Sequence, residues 1–132
     1  MILVDTSVWI EILRDRFGSK KAVLERALGG DDAVLTRFNQ LELLQGARDE
    51  REWSALSDYL NDQDYLEPDP DSWMNAARIY FDLRRMGRTV LSPIDCCIAQ
   101  IAIDSDVLLL HRDRDFEVIA EVRPLRQQRL AW

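Results

Sequence analysis

The stretch Ile2-Leu3-Val4-Asp5-Thr6-Ser7-Val8-Trp9 contains the signals that decide the fold. Its first three residues form a short apolar run, which predicts a buried strand. Apolar residues then recur at the spacing of an amphipathic helix, at Val8, Trp9, Ile12 and Leu13. Asp5 therefore lies where a buried strand passes into a helix.

The alternation of strand and helix continues along the chain. Further strands are predicted at Ala33–Leu35, Tyr65–Glu67, Val107–Leu110 and Val122–Leu125. Helices are predicted from Ser19 to Gly29, through Leu41, Leu44 and Ala47, over Trp53–Leu60, from Ser72 to Met86, from Pro93 onwards, and from Asp113 to Ala120. The helix from Ser72 is expected to bury Trp73, Ala76, Ala77, Tyr80 and Leu83. Strands separated by helices predict an α/β fold whose mostly parallel sheet is covered on both faces.

Length and composition are those of a globular domain. The chain has 132 residues, 47% of them hydrophobic and 31% charged, so we expect one domain over residues 1–132. No apolar run approaches the roughly 20 residues of a membrane helix, and the charge at Asp5 argues against a secretory leader. We therefore expect a cytoplasmic protein with Cys96 and Cys97 as free, packed thiols. The net charge of −7 excludes a uniformly basic surface but not local basic patches.

Four acidic residues are placed to share one edge of the predicted sheet. Asp5 follows the first strand and Asp113 follows the fourth. Asp95 lies in the first turn of the helix that begins at Pro93, and Glu42 lies in the helix after the second strand. Ligands of open α/β sheets bind beyond the carboxyl ends of the strands. All four carboxylates could meet there.

Each acid also has a purely structural interpretation. Asp5 and Asp113 could cap the helices that follow them, and Asp95 could belong to the cap of its helix. Glu42 has no capping position and could be a solvated acid on a helix surface. These alternatives stay open on the residues alone.

Four motifs occur in order along almost the whole chain: Asp5-Thr6-Ser7, Asn39-Gln40-Leu41-Glu42-Leu43-Leu44-Gln45-Gly46, Ser92-Pro93-Ile94-Asp95-Cys96-Cys97-Ile98-Ala99, and His111-Arg112-Asp113-Arg114-Asp115-Phe116. The ordered series resembles the PIN-domain family, and within it the VapC-type toxins of bacterial toxin–antitoxin pairs. The resemblance implies a three-layer α/β/α sandwich with a central sheet of four or five strands. It also implies a metal-dependent endoribonuclease that an antitoxin holds inactive.

The same resemblance assigns roles to individual residues. Asp5, Glu42, Asp95 and Asp113 match the family's catalytic and metal-binding acids, Asp115 matches an occasional additional ligand, and Thr6 matches a supporting hydroxyl. Converging carboxylates repel one another unless a cation offsets them, and an all-oxygen ligand set suits Mg²⁺ or Mn²⁺. Glu42 either orients the attacking water or helps hold a second ion. His111 departs from the Thr or Ser common in the family, and it could be a hydrogen-bonded residue at a strand end, an RNA contact or a metal ligand.

Local arginines are candidates for binding the RNA backbone. Arg112 and Arg114 flank Asp113, and Arg84 and Arg85 lie at the end of the helix from Ser72. The latter pair could instead complement the helix dipole. We expect Trp9, Trp53 and Trp73 to be core or interface residues rather than platforms for bases.

The expected partners follow from the resemblance. They are an RNA substrate (tRNA, rRNA or mRNA), a cognate antitoxin, and a second copy of the chain, in a homodimer and in a toxin–antitoxin hetero-oligomer. The segments Val8–Leu13 and Leu41–Tyr59 carry enough apolar residues to form the antitoxin surface. Two alternatives remain, a catalytically silent RNA-binding module and another metal-dependent phosphodiesterase. A phosphatase of the aspartyl-phosphate type is disfavoured because Ser7 occupies the position of its second Asp.

Overall fold

A five-stranded parallel sheet forms the centre of the computed structural model, which describes residues 1–90 and 92–132. The strands lie in the order β3-β2-β1-β4-β5, with β1 and β4 paired in the middle. Their bounds are β1 Ile2–Val4, β2 Ala33–Thr36, β3 Tyr65–Leu66, β4 Leu108–His111 and β5 Gln127–Arg129. The helices are α1 Thr6–Arg14, α2 Ser19–Leu28, α3 Arg37–Gln45, α4 Glu50–Asn61, α5 Ser72–Arg85, α6 Pro93–Asp104 and α7 Arg114–Ala120.

The two faces of the sheet are buried under different helices. Leu3, Val34 and Leu109 point into one core, which is shared with α5, α6 and α7. The neighbouring strand residues, such as Val4 and Leu110, point into a second core that is shared with α1 to α4. Successive side chains of a strand alternate between faces, so each short apolar strand supplies both cores. This is the predicted three-layer α/β/α arrangement.

The last strand lies further along the chain than the sequence predicts. Residues 122 and 123 remain in the turn that ends α7, because their backbone N–H groups donate to the carbonyl of Ile119. Pro124 has no N–H to give to a sheet ladder. Pairing with β4 therefore begins only at Gln127, although Leu125 is buried as a core residue. The prediction of a strand at Val122–Leu125 was wrong because hydrophobicity alone located it.

The buried face of α5 differs from the predicted one. Ser72, Ala76, Ile79 and Leu83 face the core, whereas Ala77 is exposed. Trp73 is also exposed, and its ring meets the ring of Phe38 edge to face at 5.7 Å between centroids. Trp73 thus lies at the edge of the buried face of α5 and not in the core, although its spacing in the sequence is that of an apolar helix position. Trp53 is likewise exposed, and only Trp9 of the three is buried.

Two local signals confirm the expected boundaries around the helical hairpin of α5 and α6. Gly87 adopts a φ of +73° directly after the end of α5, a conformation that glycine tolerates best. Pro93 occupies the first turn of α6, where a missing N–H has no cost, and Ser92 caps that helix. The hairpin therefore brings the end of α5 and the start of α6 to the same edge of the sheet.

The cysteines are free, as predicted, with Cys96 buried and Cys97 half-buried. Burial raises the pKa of the Cys96 thiol to about 12, so this group remains protonated and unreactive at neutral pH. Within residues 1–90 and 92–132, no helix has the length and apolar character needed to cross a membrane.

Candidate active site

Three carboxylates converge beyond the carboxyl end of β4. Asp95, Asp113 and Asp115 each offer an oxygen that lies within 4.8 Å of the oxygens offered by the other two. Asp95 reaches this point from the first turn of α6, and the other two lie at the start of α7. Asp115, which the sequence presented as an additional ligand, is therefore part of the group.

Asp5, at the end of the neighbouring strand β1, is not one of these three carboxylates but is close enough to interact with them electrostatically. Its negative charge raises the pKa of Asp95, and the charge of Asp113 raises the pKa of Asp5 in turn. The adjacency of β1 and β4 explains this approach, since parallel strands end at the same edge. The side chain of Asp5 is 3% exposed, which leaves it little water with which to offset its charge.

A hydrogen-bonded chain joins Asp5 to Glu42. The Asn39 amide Nδ2 donates to Asp5 Oδ1 at 3.3 Å and to Thr6 Oγ1 at 3.0 Å, and Thr6 Oγ1 donates to Glu42 Oε1 at 3.0 Å. Glu42 is half-buried, and burial is the largest cause of its raised pKa. Repulsion from Asp5 and Asp113 raises that pKa further. Glu42 is therefore not an ordinary solvated residue, although it is not one of the three carboxylates that lie within 4.8 Å of one another.

The capping interpretation is confirmed for two of the acids, and capping is compatible with a role in the acidic cluster. Asp5 Oδ2 accepts from the N–H and the hydroxyl of Ser7, at 3.0 and 2.7 Å, and so caps α1. Asp113 Oδ1 accepts from the N–H of Asp115 at 2.9 Å and caps α7. A carboxylate has two oxygens with about four lone-pair sites. Capping thus orients these carboxylates without using up their capacity to accept.

Charge is unbalanced in this site. Burial raises the pKa of Asp95 to about 9, and a hydrogen bond with Asp115 and repulsion from its acidic neighbours act in the same direction. Burial likewise raises the pKa of Asp5, although the Ser7 hydrogen bonds oppose that effect. At neutral pH the metal-free site therefore holds a proton on Asp95 that this acid would lose in water. A divalent cation would replace that proton, and the all-oxygen donor set fits Mg²⁺ or Mn²⁺.

Two side chains that sequence reasoning did not single out complete the site. Asn39 is fully buried, and its Oδ1 accepts from both the N–H and the hydroxyl of Thr36 in a capping box. Ser7 accepts from the N–H of Arg112 at 2.9 Å and so joins α1 to the turn before α7. The sequence did contain one signal for Asn39, since Thr36-x-x-Asn39 has the spacing of a capping box.

His111 is a fully buried residue at the end of β4. Its Nδ1 accepts from the N–H of Asp113 at 3.0 Å, so the proton of the neutral ring lies on Nε2, which donates to Gln127 Oε1 at 2.6 Å. Of the three roles that the sequence allowed, the structure supports a hydrogen-bonded residue at a strand end. Its effect is to orient the backbone that carries Asp113.

The predicted RNA-binding arginines have different surroundings. Arg84, Arg85 and Arg114 are exposed, and the first two lie against the ring of Phe81 at 6.0 and 5.7 Å from its centroid. Arg112 instead points toward α1, where its Nε pairs with Glu11 at 2.7 Å. The structure thus leaves three of the four guanidinium groups facing solvent.

A groove of about 820 Å³ lies between α1, α3 and α4, and Glu42 is one of its lining residues. Apolar side chains line it, among them Ile10, Leu13, Leu43, Leu56 and Tyr59, together with the charged residues Arg14, Arg16, Arg48 and Glu52. These residues come largely from the two segments that were expected to offer an apolar surface.

Comparison with known proteins adds a family and a fold. The family model described as PIN domain matches residues 2–122. The chain is 38% identical over 130 residues to VapC ribonuclease Mb1587 of Mycobacterium bovis and to ribonuclease VapC11 of Mycobacterium tuberculosis, with 96% of both chains covered in each comparison.

Among solved structures, the fold is similar to that of VapBC2 from Rickettsia felis, bound to a DNA fragment from its promoter, and of VapBC-1 from nontypeable Haemophilus influenzae. The first has a TM-score of 0.79 at 16% identity, covering 99% of this chain and 100% of the other. The second has a TM-score of 0.78 at 22% identity, covering 98% of each.

Proposed function

The chain belongs to the PIN-domain family, and on that premise we propose that it is the ribonuclease toxin of a toxin–antitoxin pair and hydrolyses RNA with a divalent metal ion. The observation that carries this proposal is the meeting of Asp95, Asp113 and Asp115 within 4.8 Å beside Asp5. Structural ion-pair networks usually pair acids with bases. Here the acids face one another, and a bound cation would offset the repulsion between their charges.

In the proposed reaction Asp5, Asp95 and Asp113 hold Mg²⁺ or Mn²⁺, with Asp115 as a further ligand. The bound ion would neutralise charge on the scissile phosphate and lower the pKa of a water molecule. The chain's own residues supply position and proton transfer. Asn39 and Ser7 fix the orientation of Asp5, and the His111 ring fixes the turn that presents Asp113.

Glu42 is the proposed group that orients the attacking water and takes up its proton. Burial and the neighbouring acids raise its pKa, which makes it a better base than an ordinary carboxylate. Thr6 holds one oxygen of this carboxylate in place. The exposed guanidinium groups of Arg84, Arg85 and Arg114 are the proposed contacts for RNA phosphates, since arginine binds phosphate in a bidentate manner.

The groove between α1, α3 and α4 is the proposed docking surface of the antitoxin. Its lining combines apolar side chains with charged ones, and Glu42, next to the acidic cluster, is one of its lining residues. A segment bound there would cover the approach of RNA to the carboxylates. We further propose that the protein acts in the cytoplasm, as a homodimer and within a hetero-oligomer with its antitoxin.

The proposal is tested with purified protein and a pool of cellular RNA. Cleavage is expected with Mg²⁺ or Mn²⁺, to stop on addition of EDTA, and to be lost in Asp95→Asn. Glu25→Gln, which removes an exposed acid of α2, is the matched control and is expected to cut at the wild-type rate. Metal-independent cleavage, or full activity of Asp95→Asn, would contradict the assignment. RNA binding without cleavage in any metal would favour the catalytically silent module.

A further inference from the structure

The guanidinium of Arg112 is held by α1 and by the segment after β5. Its Nε pairs with Glu11 Oε2 at 2.7 Å, its Nη1 donates to the carbonyl of Leu130, and it lies 5.2 Å from the ring centroid of Trp132. The indole Nε1 of Trp132 donates to the same Glu11 oxygen at 2.7 Å. The side chain of Arg112 is 26% exposed, so most of it contacts protein rather than solvent.

The backbone of Arg112 is held by the same helix, one turn closer to its start. Its N–H donates to Ser7 Oγ at 2.9 Å, and Ser7 Oγ donates to Asp5 Oδ2 at 2.7 Å. Asp113 is the next residue along the chain. The turn that presents Asp113 is therefore joined to α1 at two points, one through the main chain and one through the guanidinium.

We propose that Arg112 is a positioning residue for the Asp113 carboxylate, and that Glu11 and Trp132 act through it. This inference rests on the proposed function, because it assumes that Asp113 binds the metal. Arginine suits the role, since its planar guanidinium donates hydrogen bonds to Glu11 and a carbonyl while its face packs on an indole ring. Glu11 and the Leu130 carbonyl already accept from Nε and Nη1, so we assign this arginine to positioning rather than to RNA binding.

The inference is tested on the full chain with Arg112→Lys, Glu11→Gln and Trp132→Ala. The Mn²⁺ dissociation constant, measured by electron paramagnetic resonance in the absence of RNA, is expected to rise about tenfold in each variant, as is usual when partners of metal ligands are removed. In metal-free protein, hydrogen exchange at the amides of Arg112 and Asp113 is expected to accelerate. RNA cleavage is expected to lose kcat at an unchanged KM.

The double variant Arg112→Lys/Trp132→Ala tests whether the two residues act as a unit. Its Mn²⁺ affinity is expected to match that of whichever single variant binds Mn²⁺ less tightly, because the effects of substitutions within one contact network do not add. Arg129→Gln is the matched control, since Arg129 lies on β5 and pairs with Glu117 at 2.8 Å. This variant is expected to keep the wild-type Mn²⁺ affinity and exchange rates at the two amides.

Unchanged Mn²⁺ affinity and amide exchange, with a raised KM in Arg112→Lys alone, would overturn the inference and favour a phosphate contact. Should Trp132→Ala not fold, Trp132→Phe replaces it with the same expected direction, because phenylalanine keeps an aromatic ring but lacks the indole N–H. A wild-type protein that neither binds Mn²⁺ nor cuts RNA would contradict the proposed function instead. In that case unchanged amide exchange in the variants would still overturn the positioning role.

Discussion

Thr6 Oγ1 donates a hydrogen bond to Glu42 Oε1 across 36 positions of sequence, at 3.0 Å. The hydroxyl also accepts from the Asn39 amide, so its proton is directed toward the glutamate. This contact links Glu42, an acid of α3, to the residue that follows Asp5. It also opposes the effect of burial on the pKa of Glu42.

Thr6→Val should impair catalysis most strongly at low pH. The substitution removes the hydrogen bond that lowers the pKa of Glu42, so that pKa rises further. Less of the glutamate is then ionised at pH 6 than at pH 8. We expect a loss of about tenfold in kcat at pH 6 and a smaller loss at pH 8, measured as a pH–rate profile. Thr6→Ser keeps the hydroxyl and should retain the wild-type pH–rate profile. A wild-type profile in Thr6→Val as well would contradict the role of Glu42 as a base.

Asp95→Asn should stabilise the metal-free protein at alkaline pH. The folded-state pKa of Asp95 is raised from 3.8 to about 9, so the folded protein binds more protons than the unfolded chain between these values. Its stability therefore falls as pH rises through that window. In EDTA at pH 8 we expect the Tm of Asp95→Asn to exceed that of the wild type by about 4 °C, as roughly 1 kcal/mol produces in a domain of this size.

The difference in Tm should shrink toward pH 4, where Asp95 is protonated in the folded protein and increasingly in the unfolded chain. Glu25→Gln serves as the control in the same calorimetric scans and should follow the wild type at both pH values. A Tm of Asp95→Asn below that of the wild type at pH 8 would show that repulsion among these acids does not destabilise the metal-free protein.

Asn39→Asp should destabilise the fold although it preserves shape. The substitution removes the Nδ2 donor to Asp5 and Thr6 and adds a buried carboxyl beside Asp5. Leaving buried polar groups unpaired costs roughly 1–3 kcal/mol, which urea unfolding at pH 7 can measure. Gln45→Glu, at an exposed position of the same helix, should change the free energy of unfolding by less than about 0.5 kcal/mol. Equal stability of the two variants would exclude a structural role for the Asn39 amide.

Leu13→Glu should separate neutralisation from catalysis. Leu13 lines the groove between α1, α3 and α4 and is 53% exposed, so a charge there should weaken docking of an apolar segment without disturbing the core. We expect growth arrest on co-expression with the antitoxin, together with wild-type RNA cleavage by the purified variant. Leu41→Glu changes a leucine that is 55% exposed and does not line the groove. Rescue by the antitoxin should persist in Leu41→Glu, and rescue of both variants would place the antitoxin elsewhere.

Local sequence patterns predicted most of the elements, because apolar periodicity, caps and breakers act over a few residues. The strand at Ile2–Val4 and the helix starts at Pro93 and after Asp113 follow from such signals. Hydrophobicity was misleading where burial does not require a strand, as at Val122–Leu125. The phase of α5 was also misassigned, since Trp73 packs at the edge of the helix.

The sequence by itself determined which acids could meet, because Asp5 and Asp113 follow strands, Asp95 opens a helix, and Glu42 lies in the helix after the second strand. Only the tertiary structure decided the partners of those acids. The Asn39 bridge to Asp5, the Thr6 contact with Glu42 and the attachment of Arg112 to Glu11 each join segments more than 30 residues apart. Contacts of that kind depend on how whole layers pack, and no local pattern of residues encodes that packing.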